Sequence, residues 1–118
     1  MTDTAYKLVD RAEWAAARAA RAYAGSTVDR LDGYIHLSGA GQLAETARRH
    51  YAGRADLMLV TVDLSALGDG LKWEASRGGA LFPHLYGPLP ISAAIGERPL
   101  SVDADGVMRF DDGAVEWP

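Results

Sequence analysis

The sequence predicts a mixed α+β fold, with two helices in the first half of the chain and strands in both halves. Residues 57–62 (Leu-Met-Leu-Val-Thr-Val) are nearly all apolar and partly β-branched, the composition of a strand covered on both faces. Residues 14–23 and 42–52 instead show the spacing of amphipathic helices. Helices placed early, with strands on both sides of them, favour this class over a doubly wound sheet.

In chain order, residues 5–9 form a first short strand. Asp10-Arg11-Ala12-Glu13 has the form of a capping box, with Asp10 as N-cap and Glu13 reaching back. The Ala- and Arg-rich run from Trp14 to Tyr23 is then helical, with Trp14 and Ala17 on one face, and Gly25 and Ser26 end it. Residues 27–31 are a connector. Residues 33–38 form a strand whose alternation puts Tyr34, His36 and Ser38 on one face and Ile35 and Leu37 on the other. In the second helix Leu43, Ala44, Ala47 and Tyr51 make the apolar stripe, with Glu45, Arg48 and Arg49 outside it; Ser38 is a rival candidate for its cap. After Asp63 a turn with a short helical piece is expected, and residues 72–87 read as a loop without clean periodicity. Residues 91–95 are a short strand. Residues 99–102 and 107–110 flank the hairpin turn Asp103-Ala104-Asp105-Gly106, and 111–118 are a polar tail.

At 118 residues the chain fits a single domain spanning 1–118, and 48% hydrophobic with 24% charged residues is an ordinary globular balance. A net charge of −4 without a basic run argues against strong nucleic-acid binding. The absence of cysteine removes disulfides, thiolate catalysis and Cys-based zinc sites. The N-terminus lacks the pattern of a secretory signal, and the apolar runs fall short of the roughly 20 residues that cross a bilayer, so the expected location is the cytoplasm, without membrane association.

Chemistry concentrates in two places, the Tyr34/His36/Ser38 face and the segment holding Trp73, Glu74, Arg77, Phe82, His84 and Tyr86. If residues 81–86 are extended, Phe82, His84 and Tyr86 share a face. Three readings stand open. In the first, a cleft grips an anionic nucleotide: Arg77 and the Gly78-Gly79 amides hold a phosphate, Tyr34 or Tyr86 stacks on a ring, and Glu74 orients or activates a hydroxyl. In the second, His36, His84 and Glu74 hold a metal, although their spacing matches no compact ligand motif. In the third, the same residues form a hydrogen-bonded structural network. A Ser-His-Asp triad is weaker, since Gly-x-Ser-x-Gly is absent.

The combination Asp-Gly-Tyr-Ile-His-Leu-Ser (32–38), Gln42 with Glu45-Thr46-Ala47, Lys-Trp-Glu (72–74) with Ser-Arg-Gly-Gly (76–79), and Phe-Pro-His-Leu-Tyr-Gly-Pro-Leu (82–89) resembles the domain-of-unknown-function 952 family over residues 5–110. Those are small, mostly bacterial proteins. The family is similar in fold to ADP-ribosyltransferases, and its layout resembles that of bacterial RNA 2′-phosphotransferases. The resemblance implies a split, bent β-sandwich that pinches NAD in a central cleft. Tyr6-Lys7 would then lie on the first strand and His36 and Ser38 in the cleft. His84 and Tyr86 would form the opposite wall, with Glu74 and Arg77 on a loop over its mouth. Tyr6, Tyr34, Ser38, Trp73, Arg77, Phe82 and Tyr86 become ligand-binding candidates; His36, Glu74 and His84 become catalytic ones. His36 would meet a ribose hydroxyl and Glu74 would polarise the acceptor. The implied function is binding of NAD or an ADP-ribose-type nucleotide, with NAD as substrate of an ADP-ribosyl or phosphoribosyl transfer and no metal required. A non-enzymatic ligand- or partner-binding module is the alternative, and a metal-dependent hydrolase the third. Departures from the pattern are Lys7 at a position where these relatives often carry histidine, the lack of a Glu-x-Glu motif, and no evident arginine quartet.

Overall fold

The computed structural model describes residues 3–113, which form three α-helices, nine strands and several 3-10 turns. Four strands make the main antiparallel sheet, in the order β1 (Thr4–Asp10), β4 (Leu57–Asp63), β8 (Ala94–Val102), β9 (Met108–Phe110). As its composition predicts, β4 is internal and covered on both faces. Val60 and Val62 enter one apolar cluster with Ala5, Val9, Trp14 and Leu37; Leu57 and Leu59 enter another with Leu8, Leu43, Leu100 and Phe110. The expected turn at 103–106 closes the β8–β9 hairpin, with the Asp103 carboxylate accepting from the amides of Asp105 and Val107.

Helix α1 (Arg11–Ala20) starts where expected. Asp10 itself accepts from the amides of both Ala12 and Glu13, and the buried stripe is Trp14 and Ala17. It ends before Tyr23, which belongs to β2 (Ala22–Tyr23), paired with β7 (Leu89–Pro90). The expected connector at 27–31 is instead a third helix, α2 (Thr27–Asp32). Ser26 and Asp29 close a reciprocal capping box at its start, and Gly33 (φ 88°) stops it in the left-handed conformation that glycine adopts without strain. Helix α3 (Leu43–His50) buries Leu43 and Ala47 but leaves Ala44 exposed. Ser38 does not cap α3; its hydroxyl pairs with that of Thr46 at 3.0 Å.

A second sheet has the order β3 (Ile35–His36), β6 (Leu81–Leu85), β5 (Leu71–Ala75). The segment 72–87, expected as a loop, is therefore mostly a β-hairpin. Pro83 interrupts its alternation in sequence, yet its carbonyl still accepts from the Leu37 amide at 3.0 Å. Residues 91–93 form a 3-10 turn rather than a strand, and β8 begins only at Ala94. Among the described residues no helix is long and apolar enough to cross a membrane.

Candidate functional site

A hollow opens where the two sheets part. Tyr6 on β1 and Ser38, just beyond β3, exchange both backbone hydrogen bonds, at 2.7 and 2.9 Å. Antiparallel pairing alternates, so the next rung would join Leu8 to His36. It does not form. The His36 amide donates to the buried Asp29 carboxylate at 3.1 Å, and the Leu8 carbonyl accepts from the Tyr51 hydroxyl at 3.1 Å. Two side chains have replaced one rung, prising the strands apart. The resulting hollow of about 590 Å³ is lined by β1, α2, α3 and the polar face of β3 and β6. That volume is typical of small-molecule sites.

Asp29 is the hub on one side. It lies at the third position of α2, only 1% exposed. Its oxygens accept from the Ser26 amide (2.9 Å), the His36 amide and the Lys7 ammonium (3.0–3.1 Å), and lie 2.6 Å from His36 Nδ1. Burial alone would raise its pKa, but the His36 hydrogen bond, the Lys7 charge and the Ser26 and His36 amides outweigh that and hold the carboxyl well below its usual range. Lys7 sits between Ala5 and Val9 on the buried face of β1 and is itself buried; burial lowers its pKa despite the opposing pull of Asp29. On its other ring nitrogen, His36 Nε2 is 2.9 Å from Asp32. His36 is thus clamped between two carboxylates.

His84 stands directly opposite His36 in the β3–β6 register, with ring centroids 5.6 Å apart. Its Nδ1 is 2.7 Å from Glu74 Oε1, which also accepts from the Tyr86 hydroxyl at 2.8 Å. Those two hydrogen bonds, the histidine's first, lower the Glu74 pKa, and the same bond raises that of Tyr86. His84 lines the hollow, and among the described residues its second ring nitrogen has no hydrogen-bond partner. Tyr34 stacks on His84 at 4.1 Å and also touches His36 and Tyr86. Burial, then the charges of Asp32, Glu74 and Asp29, raise its pKa.

Of the residues singled out in sequence, Tyr6, His36, Ser38, Phe82 and His84 line the hollow. Tyr34, Glu74 and Tyr86 do not; they back the two histidines. Glu74 lies within β5, not on a loop over the mouth. Trp73 is opposite Pro83, so alternation turns it to the face away from Glu74 and His84, and it is 46% exposed. The Gly79 amide already donates to the Ser76 carbonyl, which leaves it unable to cradle a phosphate, and the Arg77 side chain lies outside the described part of the structure. The three-donor metal set fails too. His36 spends both ring nitrogens on carboxylates, and no group of three or more His, Asp or Glu among the described residues is placed to hold an ion.

Sequence reading missed Asp29, Lys7 as its partner, and Asp32. The spacing Ser26-x-x-Asp29 was the available signal, since a capping box there converts the connector into the helix that carries both aspartates.

Residues 8–96 match the family described as protein of unknown function (DUF952), and the chain belongs to that family. A crystal structure of protein CC0527 from Caulobacter crescentus is 52% identical, with a TM-score of 0.85, covering 89% of this chain and 92% of that one. A solution NMR structure of the same protein is 51% identical, with a TM-score of 0.77, covering 89% and 90%. Nothing among curated proteins matches.

Proposed function

From its place in the DUF952 family and the geometry of the hollow, we propose that the protein binds NAD or an ADP-ribose-type nucleotide and transfers the ADP-ribosyl group. One observation carries this reading: the register that sets His36 opposite His84 in the wall of a hollow of about 590 Å³, flanked by aromatic rings. The roles differ from those expected from sequence. With both ring nitrogens held, His36 fixes the wall rather than meeting the ribose. His84, oriented by Glu74, is the acid–base group. The C1′–nitrogen bond breaks, nicotinamide leaves with the bonding electrons, the acceptor atom bonds to C1′, and its proton passes to His84 Nε2.

A second reading is supported by the position of Glu74, which lies behind His84 and not in the hollow. On that reading the hollow binds the nucleotide and catalyses nothing. Thermal melting with NAD, ADP-ribose and nicotinamide at millimolar concentration tests the binding claim. A ligand at 100 times its dissociation constant adds about 2.7 kcal/mol of stability, a rise of several degrees. An unchanged melting temperature with all three would overturn it. Nicotinamide release from NAD then separates enzyme from binder.

A further inference from the structure

Of the basic side chains lining the hollow, Lys7 is ion-paired with Asp29, the His36 ring lies within hydrogen-bond distance of Asp29 and Asp32, and the His84 ring within that of Glu74. Arg54 is different. It lines the hollow just after α3, and among the described residues it has no carboxylate within ion-pair distance. Its backbone is fixed: its amide donates to the Tyr51 carbonyl at 3.0 Å, and its carbonyl accepts from the Val102 amide at 2.8 Å. Its guanidinium lies over the Tyr51 ring, 5.1 Å from the centroid. That ring is tied to β1 through the Tyr51–Leu8 bond. A guanidinium stacked on an anchored ring keeps its N–H fork free for a planar or tetrahedral anion and loses little side-chain freedom on binding one.

Two acidic side chains also line the hollow near the start of α1. Asp10 is engaged in capping α1, while Glu13 carries a charge that a phosphate would have to face.

We infer that Arg54 anchors the phosphates of the ligand, so that the nucleotide lies with its pyrophosphate toward the end of α3 and its ribose toward His84. This rests on the nucleotide reading of the hollow. Independently of that reading, the hollow has an anion-binding end set by Arg54 and opposed by Glu13.

Calorimetric titration of ADP-ribose, adenosine and inorganic pyrophosphate into the wild type, Arg54→Gln and Glu13→Gln tests it. Arg54→Gln is expected to weaken ADP-ribose and pyrophosphate at least about tenfold while leaving adenosine unchanged. Glu13→Gln is expected to tighten both phosphate-bearing probes. A merely structural role for Arg54 would move all three ligands together, and melting of each variant checks its folding. If Arg54→Gln binds ADP-ribose as the wild type does, the inference fails and the nucleotide reading stands. If pyrophosphate binds through Arg54 but ADP-ribose and adenosine do not, the nucleotide reading fails and the anion site stands. If the wild type binds none of the three, both fail.

Discussion

Two histidines face each other across one rung of the β3–β6 ladder, and their surroundings could hardly differ more. His36 is gripped on both nitrogens, by an aspartate that is 1% exposed and by a second on the same short helix. His84 is gripped on one nitrogen, by a glutamate at the protein surface, and turns the other toward the hollow. The first arrangement is built to hold, because Lys7 and Asp29 are buried charges and the loss of either strands the other. The second is built to leave one nitrogen available. On the proposed reading, identical side chains at paired positions divide the work of the site, one keeping the hollow open and one facing what enters it.

The largest effect should come from the holding side. Asp29→Ala leaves Lys7 buried without a partner and also removes half of the α2 capping box, and a broken buried pair costs about 3–5 kcal/mol. Denaturant unfolding is expected to show a loss of that size, whereas a loss under about 1 kcal/mol would mean Lys7 finds water or another acid.

Acid should reveal the same hub. A carboxyl held below its ordinary value of 3.8 is more readily protonated in the unfolded chain, so its contribution is complete above that pH and is lost as pH falls toward the folded value. Stability of the wild type should therefore drop below about pH 4, with a shallower slope in Asp29→Asn; parallel slopes would place the acid sensitivity elsewhere.

On the available side, Glu74→Gln should leave denaturant unfolding close to that of the wild type, because Glu74 is solvent-accessible. If the protein transfers ADP-ribose, that variant should slow nicotinamide release by about a hundredfold or more while it still melts near the wild-type temperature. Stability and turnover falling together would erase the contrast between the two histidines. The smallest effect should be that of Trp73→Ser, on the opposite face of β5. It is expected to leave ligand binding unchanged and to shift stability by no more than about 0.5 kcal/mol, and a clear loss of binding would move the site to that face.

Much of this was legible in the sequence. Alternation in residues 33–38 placed Ile35 and Leu37 in the core, and the continuous apolar run marked β4 as internal, because both signals are local. The hairpin at 72–87 was hidden because Pro83 and the Arg77–Gly79 turn disrupt the period-two pattern, while the strand partners that stabilise it lie far away in sequence. Asp29 was hidden for a related reason. A six-residue helix has too few residues to show a periodic stripe, and its outer face exposes Val28 and Leu31, so only its cap betrays it. Lys7 could be placed on the first strand but not paired, because nothing beside it in sequence announces the aspartate that neutralises it.

The most direct test of the hollow is a titration of ADP-ribose followed by amide chemical shifts in the uniformly labelled protein. Residues 6–8, 36–38, Phe82, His84 and Arg54 should move together along one saturable curve. Shifts gathered instead around Trp73 and Leu81, or amides unmoved at millimolar ligand, would contradict the claim that the parted strands enclose a binding site.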